Sequence, residues 1–211
     1  MNYYSLVLAS QSPRRKELLG YLNVPFEIII SDVNEDSAET SPQKFCEEVA
    51  RRKGEMVFNK LESDAQFKKT FFPFVVSSDT IVYCDHKIYG KPKDTNEARK
   101  ILQELSGKSH IVYTAVCFIY LDVAKCEKKE FLFSCSSKVT FDTISGEILE
   151  NYLKTGDSLD KAGAYGIQGP SLSFISHLEG SYSNVVGFPL SDVVKGIEKC
   201  LGNAKWQEMF I

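Results

Sequence analysis

LVLASQSPRR (Leu6–Arg15) is an apolar run that breaks into a small polar loop and then opens a helix carrying two adjacent arginines. Leu6, Val7 and Leu8 read as a strand buried on both faces. Ser12 suits an N-cap, and Pro13 suits the first helical position, where its missing N–H costs nothing. A strand that feeds a helix in this way is the unit from which α/β folds are built. The backbone N–H groups around Ser10 to Ser12 then lie at a positive helix end, and Arg14 and Arg15 add full charges with forked donors. This layout can hold a phosphate. The same turn also serves a helix with a Ser cap, two surface arginines and no ligand.

The rest of the chain sets limits on that reading. With 211 residues, 43% of them hydrophobic, it can bury a sizeable core as one domain or two fused lobes. A formal charge of −3 and a pI near 5.7 argue against a surface that coats nucleic acid, so a polyanion would have to meet a local basic cluster. No apolar run approaches the roughly 20 residues of a membrane helix, and MNYYSLVLAS lacks the charged start and long apolar region of a secretory signal. A cytoplasmic location is the resulting expectation. The six cysteines form no CxxC pair and have no histidine at zinc spacing, so they read as reduced core or edge residues.

Strand and helix signals alternate along the chain. Phe26–Ile30 reads as a second strand, and Ser41 with Pro42 starts a helix whose apolar face takes Phe45, Val49, Met56 and Val57. Glu47, Glu48, Arg51, Arg52 and Lys53 fill much of the rest of that helix. A loop is expected from Glu62 to Phe72, a strand over Phe74–Cys84, and a hairpin over Asp85–Tyr89. Asp94 and Glu97 form a capping box before a helix that buries Ala98, Ile101, Leu102 and Leu105. His110–Leu121 and Glu130–Phe141 look like an antiparallel pair, and Ser145 caps a helix that Gly156 closes. A glycine-studded loop, a strand over Leu172–Leu178, a loop with Asn184 and Gly187, and a helix from Pro189 complete the chain. The order predicts an α/β fold with two lobes, a mixed sheet, flanking helices and a central cleft.

Several polar clusters fall at strand ends and turns. SSDT (Ser77–Thr80) interrupts an apolar strand, and a buried Asp79 must meet a cation, a metal or a water-filled cleft. The acidic group Asp32, Glu35 and Asp36 could supply an oxygen ligand for Mg²⁺, although such loops are more often simply solvated. YGKP (Tyr89–Pro92) presents Lys91 on a rigid turn. DKAGAYGIQG (Asp160–Gly169) interleaves glycines with Ala162, Ala164, Tyr165 and Ile167, which reads as an ordered binding loop offering Lys161 and Gln168.

LASQSPRR, Glu35, Lys53, SSDT, GKP, LSGKSHIVYTAV (Leu105–Val116), DKAGAYGIQG and GSYSNVVGFPL (Gly180–Leu190) together resemble, in order and spacing, the Maf family of nucleoside triphosphate pyrophosphatases. The resemblance covers nearly the whole chain and implies one domain over 1–211. DKAGAYGIQG resembles the branch acting on dTTP and UTP rather than the branch preferring 7-methyl-GTP. The sequence departs from the family pattern at SSDT, where GADT is usual, at Ala115 for a common glycine, at Gly54 for a usual alanine, and at Asn34 for a usual aspartate.

The resemblance implies hydrolysis of a nucleoside triphosphate to a monophosphate and pyrophosphate with a divalent cation, Mg²⁺ or alternatively Mn²⁺ or Co²⁺. CTP and modified pyrimidine nucleotides extend the expected substrate range. Asp79 would prepare the attacking water or hold the metal, with Glu35 as its metal-binding companion. Ser10, Ser12, Arg15, Lys53, Lys91 and Lys161 would hold the triphosphate, while Arg14, Thr80 and Gln168 would select the base. His110 matches a family position and would support the site, whereas His86 and His177 read as structural or solvated. The family association also implies a homodimer, and it leaves open a nucleotide-binding regulator of septum formation with incidental hydrolysis. An unrelated α/β phosphate binder is the third reading of the SPRR turn.

Overall fold

The computed structural model describes residues 3–64, 72–123, 125–202 and 205–211. Its architecture is α/β, a mixed seven-stranded sheet with flanking helices. In chain order the elements are β1 (Tyr4–Ala9), α1 (Pro13–Gly20), β2 (Glu27–Ile28), α2 (Pro42–Ser63), β3 (Phe72–Cys84), β4 (Lys87–Tyr89) and α3 (Thr95–Leu105). Then follow β5 (Ser109–Asp122), β6 (Glu127–Phe141), α4 (Gly146–Lys154), β7 (Ile175–Glu179), α5 (Tyr182–Val186) and α6 (Leu190–Leu201). The sheet order is β2-β1-β3-β5-β6-β7, with β4 paired to β3.

The chain divides into two compact units, 1–79 with 115–134 and 190–211, and 80–114 with 135–189. In the first, β1 lies parallel to both β2 and the start of β3, and every β1 residue is buried, as a strand covered on both faces must be. Phe74 is the aromatic hub of this unit, packed on Tyr4, Phe118, Tyr120 and Phe210. Gly196 lets α6 lie directly against the Phe118 ring, where a Cβ would collide. In the second, α3 and α4 close a core of Val82, Leu102, Leu105, Phe141, Tyr152, Tyr165 and Phe174.

Local chemistry sets the helix ends. Ser41 and Ser145 accept hydrogen bonds from Lys44 N and Ile148 N, and Asp94 accepts from Glu97 N at 2.8 Å while Glu97 takes Lys93 N. Ser12 stands at the N-cap of α1 with Pro13 after it, but its hydroxyl makes no cap bond. The Ser12 N–H instead donates to Ser10 Oγ at 3.2 Å.

Four readings of the sequence change. The second strand shrinks from Phe26–Ile30 to Glu27–Ile28, because it is the sheet edge with one neighbour and leaves Ile28 and Ile30 exposed. The strand expected from Leu172 starts at Ile175, since Pro170 to Ser173 forms a 3₁₀ turn. The supposed loop around Asn184 contains α5, capped by Ser181 and closed by Gly187 at φ 109°. β5 and β6 run further into the expected polar connection, whose four-residue remainder is too short for a parallel crossover. Of the loop expected over 62–72, residues 65–71 lie outside the described residues. No helix among the described residues is long and apolar enough to cross a membrane.

Candidate active site

α2 buries Cys46, Val49, Ala50, Lys53, Gly54 and Val57 along one face, at helical spacing. Lys53 therefore does not belong to the charged face where composition placed it. Its ammonium enters the interior and meets Asp79 Oδ1 at 2.8 Å and Glu35 Oε1 at 2.7 Å. The Lys53 and Asp79 side chains are 7% and 8% exposed, whereas Glu35 is 49% exposed, so the cluster has a dry floor and a wet rim. The cation that a buried Asp79 required is thus Lys53.

The acidic loop is tied down along α2. Arg52 donates to the Asp36 carbonyl, the Ser37 hydroxyl bonds Glu48, and Glu35 reaches Lys53 from the same segment. Asp32 and Asp36 are exposed and do not join the cluster through their carboxylates in these contacts.

Two residues that sequence reading passed over fix the backbone under Asp79. The Cys46 thiol donates to the Asp79 carbonyl at 3.1 Å and accepts from Ala115 N–H at 3.2 Å. Burial, then the Asp79 charge, pushes this thiol well above its ordinary pKa, which keeps it a donor. Ser77 Oγ donates to the Ala50 carbonyl at 2.7 Å, pinning β3 to α2. The legible signal for Cys46 was its place seven residues before Lys53 on one helical face.

At the β1–α1 turn, Arg15 Nη1 donates to Ser10 Oγ at 3.3 Å. Burial lowers the Arg15 pKa and the Arg14 charge lowers it further, while the Asp79 and Glu35 charges raise it against that loss. Arg15 thus faces the same carboxylates as Lys53, and it remains a guanidinium. Ser10, Ser12, Arg15, Glu35, Lys53 and Asp79 all belong to the first unit.

Thr80, Lys91, Lys161 and Gln168 belong to the second unit. Lys91 is exposed on its turn and borders a hollow of about 450 Å³ with Lys87, Lys93 and Lys100. That turn is anchored by the Gly163 N–H, which donates to the Gly90 carbonyl at 3.0 Å. Gly163, at φ 69°, is required there, since a Cβ would strike the Val82 side chain at 2.7 Å. Lys161 is nearly buried and its ammonium is held by Asp157 at 2.8 Å and Asp160 at 2.6 Å. Its stem fills the space over Gly166, where a Cβ would lie 2.6 Å from it. Gln168 is half-buried beside this loop. Tyr165 is anchored by His110, whose Nε2 lies 2.7 Å from the phenol oxygen, while Phe141 packs edge-on against both rings.

Asparagine 184, named in a motif but given no role from sequence, is fully buried. Its side-chain amide donates to the Val112 carbonyl and to Ser137 Oγ, and its main-chain carbonyl accepts from Thr114 Oγ1 at 2.8 Å. Thr114 Oγ1 in turn lies 3.1 Å from Thr80 Oγ1.

The donor set around Lys53 suits a small hard cation. Glu35 and Asp79 each place an oxygen against one ammonium, so these oxygens lie no further apart than the two bonds laid end to end. Among the described residues no group of three or more His, Cys, Asp and Glu side chains could hold a metal by itself. An ion at Glu35 and Asp79 would therefore complete its shell with water and substrate phosphate oxygens, which is how Mg²⁺ is usually held.

The Maf-like protein family model matches residues 5–200. A protein of Bacillus cytotoxicus named dTTP/UTP pyrophosphatase is 40% identical over 194 residues, covering 92% of this chain and 94% of the relative. Proteins of the same name from Thermococcus onnurineus, 40% identical over 90% of this chain and 95% of theirs, and from Alkaliphilus oremlandii, 43% identical over 88% and 90%, show the same likeness. With the SPRR turn, the Lys53 cluster and the glycine loop standing inside the matched span, the chain belongs to the Maf family.

Proposed function

We propose that this protein is a nucleoside triphosphate pyrophosphatase that converts dTTP and UTP to the monophosphate and pyrophosphate, with the whole chain, 1–211, acting as one catalytic domain. The observation that carries the reading is the buried Lys53 ammonium shared by Asp79 and Glu35, with Arg15 in their field. A pure binding module has no need of a carboxylate fixed on a buried strand, whereas water activation does. The relatives named dTTP/UTP pyrophosphatase support the reaction and the pyrimidine substrates.

Asp79 takes a proton from the attacking water, whose oxygen bonds to the α-phosphorus as the bridging bond to pyrophosphate breaks in line. Cys46 and Ser77 hold the strand that carries it. Ser10, Ser12, Arg15, Lys53, Lys91 and Lys161 counter the triphosphate and the charge that gathers on the departing pyrophosphate. Arg14, Thr80 and Gln168 meet the base, where Gln168 can both donate and accept. A divalent cation, Mg²⁺ or alternatively Mn²⁺ or Co²⁺, would be held by Glu35 and Asp79 and would supply further charge neutralisation. The family likeness supports a homodimer in the cytoplasm, and the mildly acidic composition supports a small nucleotide rather than nucleic acid as partner.

An initial-rate panel of dTTP, UTP, CTP, their 5-methyl and pseudouridine relatives, and 7-methyl-GTP tests the proposal, with products identified. Pyrophosphate and monophosphate from dTTP and UTP are expected. Preference for 7-methyl-GTP overturns the substrate class, and release of orthophosphate overturns the reaction.

A further inference from the structure

We propose that Asp157 is a positioning residue for base recognition: bonded to Tyr152, its carboxylate grips Lys161 and so sets the path of the glycine loop that carries Gln168. The inference rests on the reading above that Gln168 meets the base, and it names what holds Gln168 in place. Asp157 stands three residues before the DKAGAYGIQG motif. The end of α4 delivers it there. Gly156, at φ 73°, turns the chain out of the helix, and the Asp157 N–H donates to Thr155 Oγ1 at 3.2 Å. One carboxylate oxygen then accepts the Tyr152 hydroxyl at 3.1 Å. The other accepts the Lys161 ammonium at 2.8 Å, and the Asp157 carbonyl accepts the same ammonium at 2.6 Å.

A lysine has three protons to give. Asp157 takes two of them and Asp160 Oδ1 takes the third at 2.6 Å, so the Lys161 ammonium is engaged wholly within its own loop. Its side chain thereby organises backbone. The stem crosses Gly166, where a Cβ would lie 2.6 Å from Lys161 Cε and 3.7 Å from the Gln168 carbonyl. The side chain that Asp157 grips therefore runs beside the backbone leading to Gln168. The Ser171 hydroxyl holds the other side of that backbone by donating to the Gly166 carbonyl.

The turn between Lys161 and Gly166 needs such support, because Ala164 lies at φ 61°, a left-handed conformation that side chains rarely adopt. Its N–H donates to the Lys161 carbonyl at 3.1 Å, and its carbonyl lies 3.3 Å from the Tyr152 hydroxyl. One buried hydroxyl on α4 thus serves both the Asp157 carboxylate and the strained turn. Burial, then the Asp157 charge, raises the Tyr152 pKa, so the phenol keeps the proton that it shares between them. Without the Asp157 carboxylate, Lys161 and Tyr152 lose a common partner and the loop loses its fixed path. A base contact made equally in ground and transition states then weakens, which raises KM and leaves kcat.

The test measures kcat and KM for UTP in wild-type protein and in Asp157→Ala, Asp157→Asn, Tyr152→Phe, Gln168→Ala and the Asp157→Ala, Gln168→Ala double variant. Asp157→Ala should raise KM by about tenfold or more with kcat within about threefold of wild type, and Asp157→Asn should fall between the two. Tyr152→Phe removes a single oxygen and should raise KM several-fold. Because Asp157 acts through Gln168, the double variant should match the KM of Gln168→Ala. A lowered kcat at unchanged KM in Asp157→Ala would show a role in stability alone and overturn the proposal. If Asp157→Ala does not fold, the same result in Tyr152→Phe overturns it. KM effects that multiply in the double variant show that Asp157 does not act through Gln168, and overturn it as well. A wild-type KM in Gln168→Ala would remove the reading that Gln168 meets the base, and this proposal with it. Absence of pyrophosphate release from UTP by wild-type protein would instead remove the underlying functional reading.

Discussion

The Ser77 hydroxyl occupies the space that a methyl group on Gly54 would need, since a Cβ at 54 would stand 2.7 Å from Ser77 Oγ and 3.1 Å from Ile119 Cδ1. Where the family pattern has alanine on the helix and glycine on the strand, this chain has glycine on the helix and serine on the strand. In this chain the absent Cβ at Gly54 lets Ser77 stand against α2, which carries Lys53, on the strand β3 that carries Asp79.

Gly54→Ala should therefore force the helix and strand apart and lengthen the Lys53–Asp79 contact. Overpacking of this kind costs about 1–3 kcal/mol. We expect a drop in melting temperature and a fall in kcat of tenfold or more in Gly54→Ala, both largely restored in the Gly54→Ala, Ser77→Gly double variant. A double-mutant cycle on unfolding and on kcat checks this, and additive effects would show that the two positions are not coupled.

The adjacent arginines should fail differently. Arg15 sits against Ser10 and in the field of Asp79 and Glu35, so Arg15→Met should lower kcat/KM for every nucleotide by about 10²-fold. Arg14→Met should leave the rate on the best substrate closer to wild type while changing the ratio between pyrimidine and purine triphosphates. Parallel kcat/KM measurements across the nucleotide panel separate the two outcomes.

Stability should fall on mild acidification through His110. Burial holds its pKa down at about 4, against an ordinary value of 6.5, and its Nδ1 has no hydrogen-bond partner among the described residues to receive a second proton. The unfolded chain therefore binds this proton first. Stability is full above pH 6.5 and is lost as the pH falls toward 4, by about 2 kcal/mol between pH 7.5 and 5 from this residue. Urea unfolding at those two pH values, in wild type and His110→Gln, checks the claim, and the variant should show a shallower decline.

The sequence made β1, α1 and the central strands legible because buried parallel strands and capped helices carry dense local signals, as Leu6–Leu8 and the Asp94–Glu97 box show. β2 was misjudged because β-branched composition speaks for extended backbone but not for a second neighbour, and an edge strand lacks one. The charges at the site were visible as motifs. Their partners were not, because Cys46, Ser77, Thr114 and Asn184 act through hydrogen bonds to distant backbone that no spacing rule encodes. Lys53 shows the difference most clearly: its neighbours Arg51 and Arg52 face outward, and only the register of the helix tells it from them.

The direct test of the account is pyrophosphate release from UTP by wild-type protein and by Asp79→Asn, alongside UTP binding by calorimetry. Glu35 still holds Lys53 when Asp79 loses its charge, so the variant should fold and bind UTP within a few-fold of wild type. Its turnover should fall by about 10²–10⁴-fold, the usual contribution of a positioned base. Turnover by Asp79→Asn at the wild-type rate would contradict the assignment of Asp79 as the residue that activates water.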